Sequence, residues 1–311
     1  MKILVTGGAG FIGSNLVDAL VERKNKVLVV DNLSTGKKEN LNKKAKFYKI
    51  DICSKKILDI FQKEKPEIVC HLAAQINVRK SVEEPLFDAK VNILGSLNLL
   101  ESAKKVGVKK FIFASTGGAL YGETKIIPTP EDHPIWPESP YGICKMTIER
   151  YLNYYWRLFK IPFVSLRLGN VYGPRQSPEG EAGVVAIFTQ KMLKNEDVFV
   201  FGDGEQTRDF VFVEDVVDAF LKSIKKKVIG FFNIGTEKET SVNQIYSFLK
   251  KLTKTKSKKI KLPKKKGDLR RSCLKIKKAK EKLNWEPKTP LLEGLKKTVE
   301  WFLEKNKMKN L

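Results

Sequence analysis

The apolar positions in the first half of the chain follow two alternating patterns. Short continuous apolar runs predict buried strands at residues 2–6, 26–30, 46–50, 67–71 and 110–114. Between them, apolar residues return at helical spacing, first after residue 11 and again near residues 55–62 and 91–103. Strands that alternate with helices predict an α/β fold with a mostly parallel, doubly wound sheet covered on both faces.

The second half is less regular. Residues 163–168 form one more apolar run, and helical spacing then predicts helices at Val184–Leu193, Glu214–Ser223, Val242–Leu252 and Leu291–Glu304. No internal repeat or low-complexity linker separates the halves. We therefore expect a nucleotide-binding domain over residues 1–168, which carries the catalytic residues, and a smaller substrate-binding lobe over residues 169–311. Some segments of this lobe should return to the sheet.

A glycine-rich turn lies between the first strand and the first helix. Gly7 and Gly10 permit a tight turn and the close approach of a pyrophosphate, and Gly13 lets the helix pack on the strand. The N–H groups and the dipole at the helix N-terminus favour phosphate. The second strand ends in Asp31, whose carboxylate would accept a ribose hydroxyl and repel a 2′-phosphate. This arrangement predicts a Rossmann-type sheet that binds NAD and not NADP.

Polar and small residues follow several predicted strands. Asp31, Asp51, Ala73–Gln75 and Ser115–Thr116 all stand where a strand ends, and Asp51 would reach the adenine amino group. Ligands of open parallel sheets bind at the carboxyl ends of the strands. We therefore expect these residues to share one nucleotide-binding edge.

Three tyrosines have a lysine four positions later, a spacing that places both side chains on one helix face. Tyr121/Lys125 lies in a predicted loop rich in glycine and proline, and Tyr246/Lys250 lies in a helix far from the nucleotide strands. Tyr141/Lys145 follows Pro140, a favoured residue of a first helical turn, and returns the chain to the edge beside Ser115. A nearby ammonium favours phenolate, so Tyr141 is the candidate proton-transfer group.

The net charge of +24 raises the possibility of a nucleic-acid partner. Residues 250–282 hold 17 lysines and arginines but only two acids, and aromatic residues do not interleave with them. Such a segment offers no aromatic side chains on which bases could stack. Three interpretations of this segment remain open. In order of preference, they are a solvated lysine-rich surface, electrostatic steering of an anionic substrate, and nucleic-acid binding.

The cysteines and the N-terminus limit the class of protein. The four cysteines are scattered singly and the two histidines do not bracket them, which favours neither a disulfide framework nor a metal site. No apolar run approaches the roughly 20 residues that cross a bilayer. Residues 1–5 lead straight into the glycine turn without signal-peptide features. We expect a cytoplasmic protein without a metal.

These motifs together resemble the extended short-chain dehydrogenase/reductase family, and within it the nucleotide-sugar C4-epimerases of the UDP-glucose 4-epimerase type. The resemblance covers nearly the whole chain. It rests on residues 6–13, 31–36, 72–75, 115–116, 121–123, the Tyr141/Lys145 pair, and residues 170–175, 208–211 and 283–287.

The resemblance implies an isomerase that retains NAD and acts on a UDP-hexose through a transient 4-keto sugar. Tyr141 as phenolate would take the proton of the 4-hydroxyl, and Ser115 or Thr116 would bind the reacting oxygen. Lys145 would hold the nicotinamide ribose and, together with the positive charge of the cofactor, lower the tyrosine pKa. The NAD-binding positions it implies are Gly7, Gly10, Phe11, Ile12, Gly13, Asp31, Asn32, Ser34, Thr35, Gly36, Asp51, Ile52, Leu72, Ala73, Ala74, Gln75, Asn92, Tyr141 and Lys145. The substrate-binding positions are Ser115, Thr116, Tyr141, Asn170, Arg208, Lys265, Asp268 and Ser272.

Several points stay open at this stage. A nucleotide-sugar 4,6-dehydratase or decarboxylase shares the Tyr/Lys core, but it needs an added acid/base pair where this chain has Gly117-Gly118. A non-catalytic NAD-sensing or RNA-binding relative is the alternative from another class. The resemblance also implies a homodimer that pairs helices near residues 86–105 and 141–159. Ser272 matches a position that gates the C2 substituent, so a small serine predicts that N-acetylhexosamines are accepted as well as hexoses.

Overall fold

The computed structural model describes residues 1–179, 183–264, 267 and 269–309. Its strands are β1 (Lys2–Thr6), β2 (Lys26–Asp31), β3 (Lys46–Lys49), β4 (Ile68–His71), β5 (Lys110–Thr116), β6 (Phe163–Leu168), β7 (Asn170–Tyr172), β8 (Val198–Phe201), β9 (Thr207–Arg208), β10 (Phe210–Phe212), β11 (Gly230–Ile234), β12 (Thr240–Ser241), β13 (Lys259–Leu262) and β14 (Arg271–Ser272). Seven of them form one parallel sheet in the order β11-β6-β5-β4-β1-β2-β3. This confirms the predicted α/β doubly wound fold.

Helices cover both faces of this sheet. They are α1 (Phe11–Glu22), α2 (Ile57–Glu64), α3 (Val78–Glu83), α4 (Pro85–Ala89), α5 (Ser96–Val106), α6 (Gly118–Tyr121), α7 (Pro140–Phe159), α8 (Val184–Leu193), α9 (Val213–Lys225), α10 (Val242–Thr253) and α11 (Leu291–Lys309). Side chains alternate across each strand, so Ile3 and Val5 pack with α1 and α9, whereas Leu4 packs with α2, α5 and α7. Each face thereby buries its own apolar core.

Two local differences from the expected elements affect the site. β5 continues to Thr116, because Ser115 and Thr116 pair with Arg167 and Leu168 of β6. Both hydroxyl residues therefore belong to the strand and do not follow it. The helix expected through residues 91–103 begins with a π-helical segment at Lys90–Gly95 and becomes α5 at Ser96.

The second half of the chain builds a smaller lobe around a third apolar core. Its helices α8, α10 and α11 pack on the small sheets β7/β10 and β8/β13, and β9 lies between β12 and β14. β11 returns to the central sheet and pairs with β6. Asn170–Tyr172 is a short strand because it pairs with Phe210–Phe212. The division of the chain at residue 168 stays a prediction.

Three observations bear on the expected class of protein. Within the described ranges, no helix is long and apolar enough to cross a membrane. The same part of the chain contains no group of three histidine, cysteine or acidic residues placed to hold a metal ion. All four cysteines are free thiols.

Candidate active site

A cleft opens where the parallel strands end, at the edge that the sequence predicts. Most of the expected nucleotide residues line it, namely Gly7, Gly10, Phe11, Ile12, Gly13, Asp31, Asn32, Ser34, Thr35, Asp51, Ile52, Leu72, Ala73, Ala74, Ser115, Tyr141 and Lys145. Five further lining residues were not expected, namely Ile50, Ile76, Val91, Ala114 and Leu168. These five are apolar, and the sequence pattern identifies them only as ordinary core residues.

The glycine turn is packed too closely for side chains. A Cβ at Gly7 would lie 2.7 Å from the backbone nitrogen of Ala73, and Gly7 has a positive φ of 70°. A Cβ at Gly13 would lie 2.1 Å from the carbonyl oxygen of Gly7. No side chain caps the start of α1, so its first N–H groups point into the cleft as donors without intrahelical partners. This cradle can bind a diphosphate.

Asp31 is held rigidly at the end of β2. One carboxylate oxygen accepts from the N–H of Ala9 at 3.0 Å, and the other accepts from the N–H of Leu33 at 2.8 Å. A Cβ at Gly36 would lie 3.0 Å from both of these oxygens, so Gly36 supports the carboxylate from behind the cleft. Each oxygen keeps a further lone pair, which leaves Asp31 able to accept from a ribose hydroxyl.

Asp51 lies beside Asp31 on the same wall. Its oxygens accept from the N–H of Cys53 and from the side-chain amide of Asn32, both at 2.8 Å. Burial alone would raise its pKa, but these hydrogen bonds outweigh burial and lower the pKa below its ordinary value. Asp51 is therefore an anionic acceptor near neutral pH.

Gln75 and Asn92 are buried behind the cleft and are not among its lining residues. The N–H of Gln75 donates to Asn92 Oδ1 at 3.0 Å, and Asn92 Nδ2 donates to the carbonyl of Gln75 at 2.9 Å. The two residues predicted to bind NAD thus fix the backbone that follows Ala73 and Ala74. The Gln75 side chain is bonded to Asn77 and Asp88, and the Asn92 side chain to Gln75 and Asp88, so both residues support the wall, and their contact with NAD stays a prediction.

Helix α7 places Tyr141 and Lys145 at the cleft. Ser139 caps the helix by accepting from the N–H of Gly142 at 3.2 Å, and Pro140 occupies the first turn. Lys145 is 4% exposed, and its Nζ donates to the carbonyl of Ala114 at 2.9 Å. The same Nζ lies 4.6 Å from the centroid of the Phe113 ring and 5.7 Å from that of Tyr141.

In the chain alone, burial dominates the pKa values of this pair. Burial lowers the pKa of Lys145 to about 8, although the charge of Asp88 opposes this. Burial, followed by the charge of Asp88, raises the pKa of Tyr141 well above its ordinary value. The expected lowering by Lys145 is absent within the described chain, because the ammonium is directed to the Ala114 carbonyl and both groups are desolvated. A further positive charge is needed to favour phenolate.

Ser115 and Thr116 differ in their placement. Ser115 lines the cleft, and its Oγ is buried without a hydrogen-bond partner among the described residues. Thr116 is half-buried and does not line the cleft. A buried hydroxyl without a partner is unfavourable unless a ligand supplies one, so Ser115 is the better placed of the two to bind a reacting oxygen.

Two glycines follow this strand and leave no room for side chains. A Cβ at Gly117 would lie 2.7 Å from both methyl groups of the buried Leu274. A Cβ at Gly118 would lie 2.8 Å from Ser272 Oγ. Neither position can carry an acid without a shift of the 272–274 segment.

Strand pairing brings three of the expected substrate-binding residues, Asn170, Arg208 and Ser272, into neighbouring strands. Arg208 of β9 is the parallel register partner of Ser272 in β14, and Asn170 of β7 pairs with Phe210 two residues further along. Buried Asp209 lies between them and accepts from the N–H groups of Thr236 and Leu274. Lys265 and Asp268 lie outside the described residues. Arg270 and Arg271 follow this segment and form ion pairs with Asp203 and Glu239, respectively.

The competing Tyr/Lys pairs are placed differently. Tyr246 and Lys250 share one face of α10, with 3.4 Å between their polar atoms, but they do not line the cleft. Tyr121, expected in a loop, ends the short helix α6 and donates from its buried hydroxyl to Asn233 at 2.9 Å. The helical turn forms because its N–H groups return to Gly117 and Gly118.

The sequence profile of the NAD dependent epimerase/dehydratase family matches residues 3–235. The chain belongs to this family. A protein described as a putative UDP-glucose 4-epimerase from Methanocaldococcus jannaschii is 48% identical over 307 residues, which cover 98% of this chain and 99% of the relative.

Two solved structures are also similar to this member of the family. The UDP-glucose 4-epimerase of Thermotoga maritima, solved with UDP-glucose, has a TM-score of 0.97 and 55% identity, and the match covers 98% of this chain and 100% of that one. The Thermus thermophilus UDP-glucose 4-epimerase, solved in complex with NAD, has a TM-score of 0.94 and 42% identity, with coverages of 97% and 99%.

The cofactor of the NAD dependent epimerase/dehydratase family fits the residues present. The cradle at Gly7 and Gly13 has space only for a ligand that approaches the backbone, and free N–H groups face it. Asp31 and Asp51 offer carboxylate oxygens at the far wall. Lys145 and the partnerless hydroxyl of Ser115 stand at the other end.

One buried acid beside this site was missed. Asp88 is fully buried on α4, and its charge acts on Tyr141, Cys144 and Lys145. The signal that could have identified it is the pair Asp88 and Asn92, two polar residues four positions apart and therefore on one face of a segment rich in apolar residues.

Proposed function

We propose that this protein catalyses NAD-dependent C4 epimerisation of a UDP-hexose, interconverting UDP-glucose and UDP-galactose through a transient 4-keto sugar, with the N-acetyl forms as further substrates. The observation that carries the proposal is the meeting of Tyr141, Lys145 and the partnerless Ser115 hydroxyl at one end of a cleft that fits NAD. The similarity to UDP-glucose 4-epimerases over nearly the whole chain supports it.

Each residue then has a defined task. Tyr141, as phenolate, accepts the proton of the sugar 4-hydroxyl and later returns it, while Ser115 Oγ donates a hydrogen bond to the same oxygen. When bound, oxidised NAD provides the hydride acceptor and the positive charge that the buried phenol needs, and its reduced form provides the hydride donor. Lys145, fixed on the Ala114 carbonyl, is placed to orient a ribose hydroxyl. Inversion at C4 follows when the keto sugar presents its other face.

The 4,6-dehydratase and decarboxylase reactions form the main alternative. Dehydration needs an acid and a base besides Tyr141, to remove a proton and expel a hydroxyl. Glycine occupies both positions after Thr116, so neither position supplies a side chain that can transfer a proton. This absence of an acid at residues 117 and 118 favours epimerisation, which needs no second acid.

The substrate-binding lobe over residues 169–311 is part of the proposal. Asn170, Arg208 and Ser272 are brought to one side by the pairing of β7 with β10 and of β9 with β14. We assign Asn170 and Arg208 to the nucleotide, and Ser272 to the sugar side beside Gly118. The roles of Lys265 and Asp268 rest on the sequence resemblance alone.

A homodimer is also proposed. The helices expected to pair across a two-fold axis leave large apolar side chains exposed, namely Leu86, Phe87, Leu94, Ile143, Tyr151, Tyr154 and Leu158. Tyr155 does not join them, because it is buried against the core. The cytoplasmic location stays a prediction.

The decisive experiment is incubation of the purified protein with UDP-glucose, UDP-N-acetylglucosamine and UDP-glucuronate, followed by resolution of the products at C4. The proposal predicts a mixture of C4 epimers from UDP-glucose. A stable 4-keto-6-deoxy product that absorbs in alkali would instead support the dehydratase. Salt-sensitive RNA binding without any sugar turnover would support a non-catalytic relative.

A further inference from the structure

The two oxygens of the buried Asp88 carboxylate have different environments. It lies on α4 with no exposed surface. Its Oδ1 accepts from Gln75 Nε2 at 2.7 Å and from Asn92 Nδ2 at 2.9 Å. Its Oδ2 has no hydrogen-bond partner among the described residues. A buried charge of this kind is costly unless its surroundings use it, so the bare oxygen calls for an explanation.

The bonded oxygen supports the wall of the cleft. Asn92 Nδ2 is shared between Asp88 and the carbonyl of Gln75, and Gln75 Nε2 also donates to the carbonyl of Asn77. Asp88 therefore orients both amides that fix the backbone next to Ala74, which lines the cleft. This use explains Oδ1 but leaves Oδ2 without a function.

The bare oxygen belongs to a group that faces the catalytic helix. Helix α4 packs against α7, and three titratable side chains of α7 respond to the charge of Asp88, namely Tyr141, Cys144 and Lys145. The charge opposes the loss of the proton of Lys145 and also opposes formation of the Tyr141 phenolate. Burial, followed by a weak hydrogen bond to the Asp88 carboxylate and then by its charge, raises the pKa of the Cys144 thiol to about 12, so this thiol stays neutral and does not balance the charge of Asp88.

The charged groups on the other neighbouring elements are used elsewhere. On α3, Arg79 and Glu83 are exposed, and Lys80 lies over the Phe87 ring and 3.9 Å from Glu84. In the π-helical segment, exposed Lys90 acts on Asp51.

Two further titratable groups interact with Lys145, namely His71 at the end of β4 and Glu149 on α7 itself. Burial keeps His71 neutral with a pKa of about 3, and Glu149, a turn further along α7, forms an ion pair with Arg167. Of the two described acids whose charge acts on Lys145, Glu149 is therefore paired with an arginine, whereas Asp88 forms no ion pair among the described residues.

We propose that Asp88 is a positioning residue for the reaction proposed above: one carboxylate oxygen holds the cleft wall at Gln75, and the other supplies a buried negative charge to Tyr141 and Lys145. The inference rests on the proposed function for its kinetic consequence. Its electrostatic part concerns the chain alone and is tested without substrate.

The test compares Asp88→Asn with Asp215→Asn. Asparagine keeps the size and an acceptor oxygen for Gln75 but removes the charge. Asp215 is a matched control, because it is also buried and accepts from the N–H groups of Lys288 and Thr289, on an element away from α7. Loss of a nearby negative charge makes both Tyr141 and Lys145 release their protons more readily. Both limbs of the pH–rate profile of Asp88→Asn should move to lower pH by about one unit, and neither should move in Asp215→Asn.

A direct titration gives a second readout. The phenolate absorption of Tyr141 is obtained by subtracting the titration of Tyr141→Phe from that of the parent protein, with and without Asp88→Asn. We expect the Tyr141 midpoint to fall by about one pH unit when the charge is removed. An unmoved midpoint, or limbs that stay in place or move in opposite directions, would overturn the role of the charge.

The controls separate the two hypotheses. If the parent protein turns over no UDP-sugar but the Tyr141 midpoint falls as expected, the proposed function fails while the electrostatic coupling stands. If Asp88→Asn does not fold, Asp88→Ser, which also removes the charge, is titrated in its place. Failure of both variants to fold would make Asp88 a structural residue only and would overturn the proposal.

Discussion

The Cα atom of Gly118 lies directly against the hydroxyl of Ser272, so that a Cβ at position 118 would stand 2.8 Å from Ser272 Oγ. The two residues are 154 positions apart and meet because β14 pairs with β9 and carries Ser272 back to the end of β5. Ser272 is 9% exposed and therefore has little freedom to move away. One glycine and one small side chain thus jointly limit the space at the place where we propose that the sugar binds.

Ser272→Tyr should narrow the range of substrates. A phenol ring beside Gly118 would occupy the volume that we assign to the C2 substituent, whereas the hydroxyl of a plain hexose needs less space. We expect the ratio of UDP-N-acetylglucosamine to UDP-glucose turnover to fall by at least about tenfold, measured as kcat/KM for each. Ser272→Ala removes the same hydroxyl without adding bulk and should keep the ratio. An unchanged ratio in Ser272→Tyr would disprove the gate.

Tyr141→Phe should abolish most turnover while NAD stays bound. The substitution removes only the group that accepts and returns the proton, and general acid–base catalysis contributes about 10²–10⁴-fold in rate. The measurements are kcat with UDP-glucose and the amount of NAD released from the denatured protein. Tyr246→Phe is the matched control, because it removes a hydroxyl from the other helical Tyr/Lys pair, outside the cleft. Equal losses in both variants would refute the assignment.

Much of the fold could be predicted because local patterns and tertiary packing agree. β1, β6 and α8 begin and end at the predicted residues. The lining residues of the cleft follow from strand ends, which any parallel sheet brings to one edge. Tyr121 could not be predicted in this way. Its hydroxyl is held by Asn233 and Arg167, which are 112 and 46 positions away.

The electrostatics of the site were less accessible to sequence reasoning. The four-residue spacing places Tyr141 and Lys145 on one side of α7, but it does not determine where the ammonium points. The carbonyl of Ala114 takes that ammonium, and burial then raises the tyrosine pKa. Asp88 adds a charge that only the packing of α4 on α7 reveals. Desolvation depends on the whole fold, and no spacing rule contains it.

The buried ammonium of Lys145 should give the protein a specific pH dependence of stability. Its pKa is lowered from 10.5 to about 8 in the folded state, so between these values the unfolded chain binds more protons than the folded one. The free energy of unfolding therefore rises with pH across that window. Below about pH 8, Lys145 is protonated in both states and adds no pH dependence.

Lys145→Met tests this sign. Other groups titrate in both proteins, so the quantity to compare is the difference in free energy of unfolding between the parent and Lys145→Met, measured by denaturant titration from pH 7 to 10. We expect the difference to shift in favour of the parent as pH rises. Lys250→Met, on an exposed lysine of α10, should give a flat difference. A flat difference for Lys145→Met would show that its pKa is not lowered.

Leu86→Glu should separate the proposed dimer. Leu86 is 86% exposed on α4, beside the exposed apolar side chains of α7, and a carboxylate there would have to be desolvated at the two-fold contact. Sedimentation velocity at micromolar concentration should show a dimer for the parent protein and a monomer for the variant. Ile260→Glu changes another exposed aliphatic residue, on β13 in the smaller lobe, and should leave the dimer intact. A parent protein that sediments as a monomer at every concentration would contradict the pairing of these helices.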